Sequence, residues 1–106
     1  MKGEQDTKMD IKKIKSVNAL IYKLIGRLDT TTAPDLETEL QNSLDGIEHL
    51  TFDLEDLEYI SSAGLRVLLF AIRRMNAQGT LVVKNANDLV MEVFNITGFS
   101  SLIELE

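Results

Sequence analysis

From residue 19 onward the chain switches repeatedly between two hydrophobic rhythms, one with a period of two residues and one with a period of three to four, and few folds accommodate that switching. Residues 19–28 put Leu20, Tyr22, Leu24, Gly26 and Leu28 on one set of alternate positions, which predicts a strand with one face drier than the other. Leu36, Leu40, Leu44 and Ile47 then recur at helical spacing. Thr32 is the expected cap of that helix, and Pro34 sits in its first turn, where a missing N–H does no harm. Asp35 and Glu37 suit its positive end, and Asp45 with Gly46 marks its stop. Residues 49–54 alternate Leu50, Phe52 and Leu54 against Thr51 and Asp53, a second strand. A loop over 55–61 leads into a strongly apolar helix over about 62–77, ended by Gln78 and Gly79. A Val-rich strand over 80–84 follows, then a helix capped by Asn87 or Asp88, carrying Leu89, Val93 and Ile96 and stopped by Gly98. Residues 102–105 predict a last short strand. Ahead of all these, residues 9–15 are apolar at 9, 11 and 14, which suggests an edge strand with a bulge near Lys13, joined to the next strand by a turn over 16–18.

Once the first hairpin is passed, strand and helix alternate regularly, and right-handed crossovers turn that order into a largely parallel sheet. The expected architecture is therefore an α/β layer: a mixed, mostly parallel sheet of 4–5 strands with helices packed against it, in one domain over 9–106 behind a polar, flexible tail over 1–8. With no Cys there is no disulfide framework, no thiol nucleophile and no thiolate zinc site. The first eight residues are polar and the longest apolar run, Val67 to Ile72, is far short of the roughly 20 residues of a membrane span, so the expected location is the cytoplasm, away from any membrane. A formal net charge of −6 has the wrong sign for gripping nucleic-acid phosphates.

In an open α/β sheet the loops leaving the carboxyl ends of the strands, with the helix N-termini they feed, form the functional edge. Two loops qualify, Asp29-Thr30-Thr31-Thr32 and the stretch from Asp53 to Gly64. In the second, Ser62 is expected at or beside the cap of the apolar helix, with small Ala63 and Gly64 letting another molecule approach closely. The acidic run Asp53, Glu55, Asp56 and Glu58 matches no calcium-loop spacing and has no phosphate-cradling glycine loop beside it, so no metal and no cofactor are expected. The single histidine, His49, opens a strand at the opposite end from Ser62, which argues against a hydrolytic triad and against an enzyme. Arg66, Arg73 and Arg74 are candidates for partner contacts, Arg66 foremost because it lies one helical turn from Ser62.

The run Leu54-Glu55-Asp56-Leu57-Glu58-Tyr59-Ile60-Ser61-Ser62-Ala63-Gly64-Leu65-Arg66-Val67-Leu68-Leu69, with Gly26-Arg27-Leu28-Asp29-Thr30-Thr31-Thr32-Ala33-Pro34 upstream, resembles the STAS domain of bacterial anti-sigma factor antagonists. That resemblance covers nearly the whole chain. It implies a small switch that binds an anti-sigma factor, usually also a serine-protein kinase, and so frees a sigma factor. Phosphorylation of a serine at a helix N-terminus ends the interaction, and a PP2C-type phosphatase restores it. Carried over by position, the acceptor is Ser62, with Ser61 as the neighbouring alternative; Ser61 stands where the best-known pattern has Asp, and Ala63 where it has a second Ser. The partner-binding edge then comprises Asp29, Thr30, Thr31, Ser61, Ser62, Ala63, Gly64 and Arg66. A different class of function compatible with the same fold is an accessory subunit of a transporter, or a signalling module that binds a nucleotide or another small ligand.

Overall fold

The computed structural model describes residues 9–106, and the expected tail over 1–8 lies outside the described residues. In chain order the elements are β1 (Met9–Lys15), β2 (Ala19–Leu28), α1 (Ala33–Ser43), β3 (His49–Asp53), β4 (Leu57–Ile60), α2 (Ser62–Asn76), β5 (Thr80–Lys84), α3 (Asp88–Thr97) and β6 (Glu104–Leu105). Strand order across the sheet is β1-β2-β3-β5-β6, with β4 also paired to β2; β1 is antiparallel to β2 and every other pairing is parallel. After the hairpin β2, β3, β5 and β6 follow one another in one direction across the sheet, with β4 alone returning to β2, so right-handed crossovers keep the helices on one face. Burial agrees: Leu20, Tyr22, Leu24, Leu50, Phe52 and Val83 are buried on that face, whereas Ile14 and Ile21 on the other are exposed.

The helices supply the rest of the core. The greasy stretch of α2 buries Leu65, Val67, Leu68, Ala71, Ile72 and Met75, while α1 contributes Ala33, Leu36 and Leu40 and α3 contributes Val90 and Phe94. Tyr22 stacks on Phe52 with ring centroids 5.9 Å apart. Its hydroxyl donates to Glu39 Oε2 at 2.9 Å, and burial pushes its pKa well above the usual phenol range.

The α/β class stands as expected, but the sheet has six strands, because the stretch expected to be a loop over 55–61 contains β4. Here Gly26 pairs with Leu57 while Arg27 pairs with Tyr59, so Glu58 is an extra residue in a bulge. The bulge puts the buried residues Leu57 and Ile60 three apart, a spacing that erases the two-residue rhythm of a strand. The bulge expected near Lys13 is absent: β1 pairs in unbroken register from Met9↔Gly26 to Lys15↔Leu20. Two helix ends also differ. Thr32 stands at the α1 cap in helical geometry (φ −103°, ψ −21°), so its hydroxyl does not reach forward and instead donates back to the Arg27 carbonyl at 2.8 Å. α1 ends at Ser43, before the expected Asp45 and Gly46, with Gly46 taking the left-handed φ of 80° in the turn to β3. At the other end of the chain the strand expected over 102–105 is reduced to β6 at Glu104–Leu105: Leu102 closes the 3-10 turn over Phe99–Ser101 in helical geometry (φ −101°, ψ −14°), its amide donating to the Phe99 carbonyl, and so is taken out of the strand.

Candidate functional site

The two loops singled out in the sequence become neighbours through strand register. β3 runs beside the first half of β2, the chain turns at residues 54–56, and β4 continues beside the second half of the same strand. Leu28 pairs with Ile60, and the Ser61 amide donates to the Leu28 carbonyl at 2.9 Å. The residue after each strand end is thereby held in place: Asp29 leaves β2 where Ser61 leaves β4. His49 pairs with Ala19 at the far end of β2, about nine residues or roughly 30 Å of strand away, and its Nδ1 lies 3.1 Å from Thr80 Oγ1.

Asp29 organises the first loop. Its Oδ1 accepts from the Thr31 hydroxyl at 2.7 Å, the Thr31 amide at 3.0 Å and the Thr32 amide at 3.2 Å, and the Ala33 amide donates to its carbonyl at 2.8 Å. The Thr31 hydroxyl, ahead of the two amides, holds the Asp29 carboxyl below the usual carboxylate range against an opposing contribution from burial. Arg27 lies behind it, its Nε 3.6 Å from Asp29 Oδ2 and its guanidinium 4.4 Å from the centroid of the Tyr59 ring. Thr30 and Thr31 face solvent.

The second loop separates two adjacent hydroxyls. Ser61 is the cap of α2 in extended geometry (φ −103°, ψ 177°), and its Oγ accepts from the Gly64 amide at 3.4 Å. Ser62 is the first residue of the helix proper and is exposed. Ala63 is half-buried. Gly64 is buried, and its missing side chain serves the fold: a Cβ there would lie 2.7 Å from Leu28 Cγ, 2.9 Å from Ile60 Cγ1 and 2.9 Å from the Leu28 carbonyl oxygen. The space expected to admit another molecule is thus already filled by the ends of β2 and β4.

Beside this edge a groove of about 380 Å³ runs between α1 and α2. Ala33, Pro34 and Glu37 form one wall, and Ala63, Arg66, Val67, Phe70 and Arg73 the other. The sequence reading missed Pro34, Glu37 and Phe70 as site residues, although Arg66, Phe70 and Arg73 stand at the spacing of a single helix face. Arg74, the third candidate arginine, is occupied elsewhere: it pairs with Asp45 and donates through Nε to Gln78 Oε1 at 3.3 Å. The acidic run is dispersed as well, with Asp53 Oδ1 accepting from the Asn85 side-chain Nδ2 at 3.0 Å and Asp56 paired with Lys23. Among the described residues no group of three His, Asp or Glu could hold a metal ion, and no helix is long and apolar enough to cross a membrane.

A family model for the STAS domain matches residues 8–106 of this chain. The chain belongs to the STAS domain family. This STAS domain is 42% identical over 85 residues to the putative anti-sigma factor antagonist BtrV of Bordetella bronchiseptica, covering 78% of this chain and 73% of that protein. Its fold is that of the anti-sigma factor antagonist SpoIIAA in the unphosphorylated form, with a TM-score of 0.81 at 17% identity over 92% of this chain and 88% of the other. SpoIIAA in the phosphorylated form matches with a TM-score of 0.73 at 16% identity, over 92% and 91%.

Proposed function

We propose that this STAS domain is a non-catalytic anti-sigma factor antagonist of the cytoplasm. Its unmodified form binds an anti-sigma factor that is also a serine kinase through the edge made by Asp29, Thr30, Thr31, Ser62, Ala63 and Arg66, and a phosphate on Ser62 ends the interaction. A PP2C-type phosphatase resets it. The observation that carries this reading is the division between the two serines: the Ser61 hydroxyl is spent on the Gly64 amide, while that of Ser62 is exposed on the first turn of α2 beside the Asp29 loop. Likeness to BtrV supports the class of function.

Magnitudes favour a switch that spares the fold. A phosphoserine carries about −1.5 to −2 charges at neutral pH. At the N-terminus of α2 the helix dipole favours that charge by about 0.3 to 1 kcal/mol. A partner carboxylate brought to about 6 Å opposes a dianion by roughly 5 kcal/mol at an effective dielectric constant near 20, before salt screening. Even half of that lowers affinity on the order of fifty-fold. SpoIIAA, whose fold this chain shares, keeps that fold in its phosphorylated form.

The test is mass spectrometry after incubation with ATP and each anti-sigma factor kinase of the same genome, purified singly. One phosphate on Ser62, lost in Ser62→Ala, is the expected result; equal modification of Ser62→Ala at another residue refutes the assignment. Calorimetry with ATP and GTP addresses the competing class, since a ligand-binding module takes up nucleotide without a kinase.

A further inference from the structure

Arg66 and Arg73 are the cations of the groove between α1 and α2. Among the described residues Lys13, Lys23, Arg27 and Arg74 are held in ion pairs, whereas Arg66 and Arg73, like Lys12, Lys15 and Lys84, make none; of these five only the two arginines line the groove. Both are exposed, and both line the groove between α1 and α2, two turns apart on one face of α2. Between them the groove offers Val67 and Phe70, with Ala33 and Pro34 opposite and the exposed Glu37 as the one carboxylate of the facing wall, so the positive charge lies on the α2 side alone. Two cations bracketing an apolar strip, in a molecule of net charge −6, are complementary to a segment with apolar side chains flanked by carboxylates.

Ser62 precedes Arg66 by four residues on the same helix, so their Cβ atoms are neighbours about 5–6 Å apart. An anion placed N-terminal to a cation at this spacing is the favourable orientation for a pair. A guanidinium also meets a phosphate with two parallel hydrogen bonds.

We infer that Arg66 is the group through which phosphorylation is read. In the unmodified protein it reaches along the groove and, with Arg73, holds carboxylates of an acidic, apolar-centred segment of the anti-sigma factor; once Ser62 carries a phosphate, Arg66 turns back one helical turn to that phosphate and leaves the groove. The switch then acts twice, by adding negative charge at the edge and by withdrawing a cation from the docking surface. This rests on the reading of Ser62 given above.

Two measurements test it. The first needs no partner: phosphoserine is incorporated at residue 62 during translation, and its phosphate is titrated by phosphorus NMR in the intact chain and in Arg66→Ala. The pair lowers the second phosphate pKa, so Arg66→Ala is expected to raise it by about half a unit, from one charge about 5 Å away in water-like surroundings. Arg73→Ala, two turns further along, is expected to leave it unchanged. The second measures affinity for the anti-sigma factor kinase that binds the wild type. Arg66→Ala and Arg73→Ala are each expected to weaken the unmodified complex by about tenfold, and the ratio of affinities without and with phosphate is expected to shrink in Arg66→Ala. An unchanged phosphate titration, or arginine variants that bind as the wild type does, overturns the inference while leaving the Ser62 switch standing. A wild type that binds no anti-sigma factor overturns the proposed function and this inference together.

Discussion

Adding one methyl group at Gly64 tests whether the junction of α2 with β2 and β4 sets the geometry of the candidate site. The new Cβ would meet Leu28 Cγ at 2.7 Å and the Leu28 carbonyl oxygen at 2.9 Å, whereas relaxed contacts between carbons lie near 3.5–4 Å. Neither obstacle is the free end of a flexible side chain, so the first turn of α2 must lift by about 1 Å. Overpacking of this kind costs about 3 kcal/mol at the upper end of its usual range, and the gain in helix propensity from Gly to Ala offsets at most about 1 kcal/mol. A net loss of about 2 kcal/mol lowers the melting temperature by about 8–16 °C in a domain of this size. The measurement is thermal unfolding followed by circular dichroism, checked by urea titration, with Ser62→Ala as the control expected to stay within about 0.5 kcal/mol of the wild type because its side chain is exposed. Partner affinity should fall as well, since lifting the turn separates Ser62 from the Asp29 loop. If Gly64→Ala melts at or above the wild-type temperature, the close approach of α2 to the strand ends is wrong.

Ser61→Ala removes the cap of α2 and is expected to cost about 0.5–1 kcal/mol, toward the low end because the bond is long at 3.4 Å; Ser61→Asp, which can still cap, should recover most of it in the same melts. Ser62→Asp is expected to weaken anti-sigma factor binding while leaving the melting temperature within a few degrees, and collapse of the fold would mean that the Ser62 side chain is structural. Asp29, Glu39 and Asp53 are all held below the usual carboxylate range: Asp29 by the Thr31 hydroxyl, Glu39 by the Lys13 ammonium, and Asp53 by Asn85, the Glu55 amide and nearby lysines, which together outweigh a burial contribution of opposite sign. Depressed folded-state values contribute stability that is complete above the unfolded value near 4 and is lost as pH falls through the folded ones, so the melting temperature should be flat from about pH 5 to 7 and drop below about pH 4. Asp29→Asn should flatten part of that drop, and an acid profile identical to that of the wild type would remove Asp29 from the account.

Much of this was legible in the residues because single chemical facts dictated it. The period of Leu20, Tyr22 and Leu24 fixes which face of β2 is buried, and Gly98 accepts the left-handed conformation, φ 82°, that ends α3. What stayed hidden depends on contacts between distant residues. β4 carries an extra residue at Glu58, and a bulge has no periodic signature; only its pairing with Arg27 and Leu28 makes it a strand. Thr32 has the right side chain for a helix cap, but the tertiary path out of β2 sets its backbone in helical geometry and turns the hydroxyl backward. The smallness of Gly64 was plain, whereas the neighbours that require it, Leu28 and Ile60, lie 36 and four residues away in sequence.

The proposed switch gives the neutral side chain of Ser61, which stands where the resembled pattern has Asp, an electrical consequence. An aspartate at the α2 cap would stand one residue from the phosphate, and a neighbouring negative charge raises the second pKa of the phosphate, holding part of it as a monoanion near neutral pH. Ser61 performs the same capping with a neutral hydroxyl. On the proposed reading, in which Ser62 is the acceptor and Arg66 its partner, Ser61→Asp is expected to raise the second phosphate pKa of a phosphoserine at residue 62, and an unchanged phosphorus NMR titration would refute this role for the neutral cap. Under the proposed switch the repulsion from a partner carboxylate would grow in proportion to the charge on that phosphate, so a neutral cap would sharpen the contrast between the two states of the surface without altering the helix that bears it.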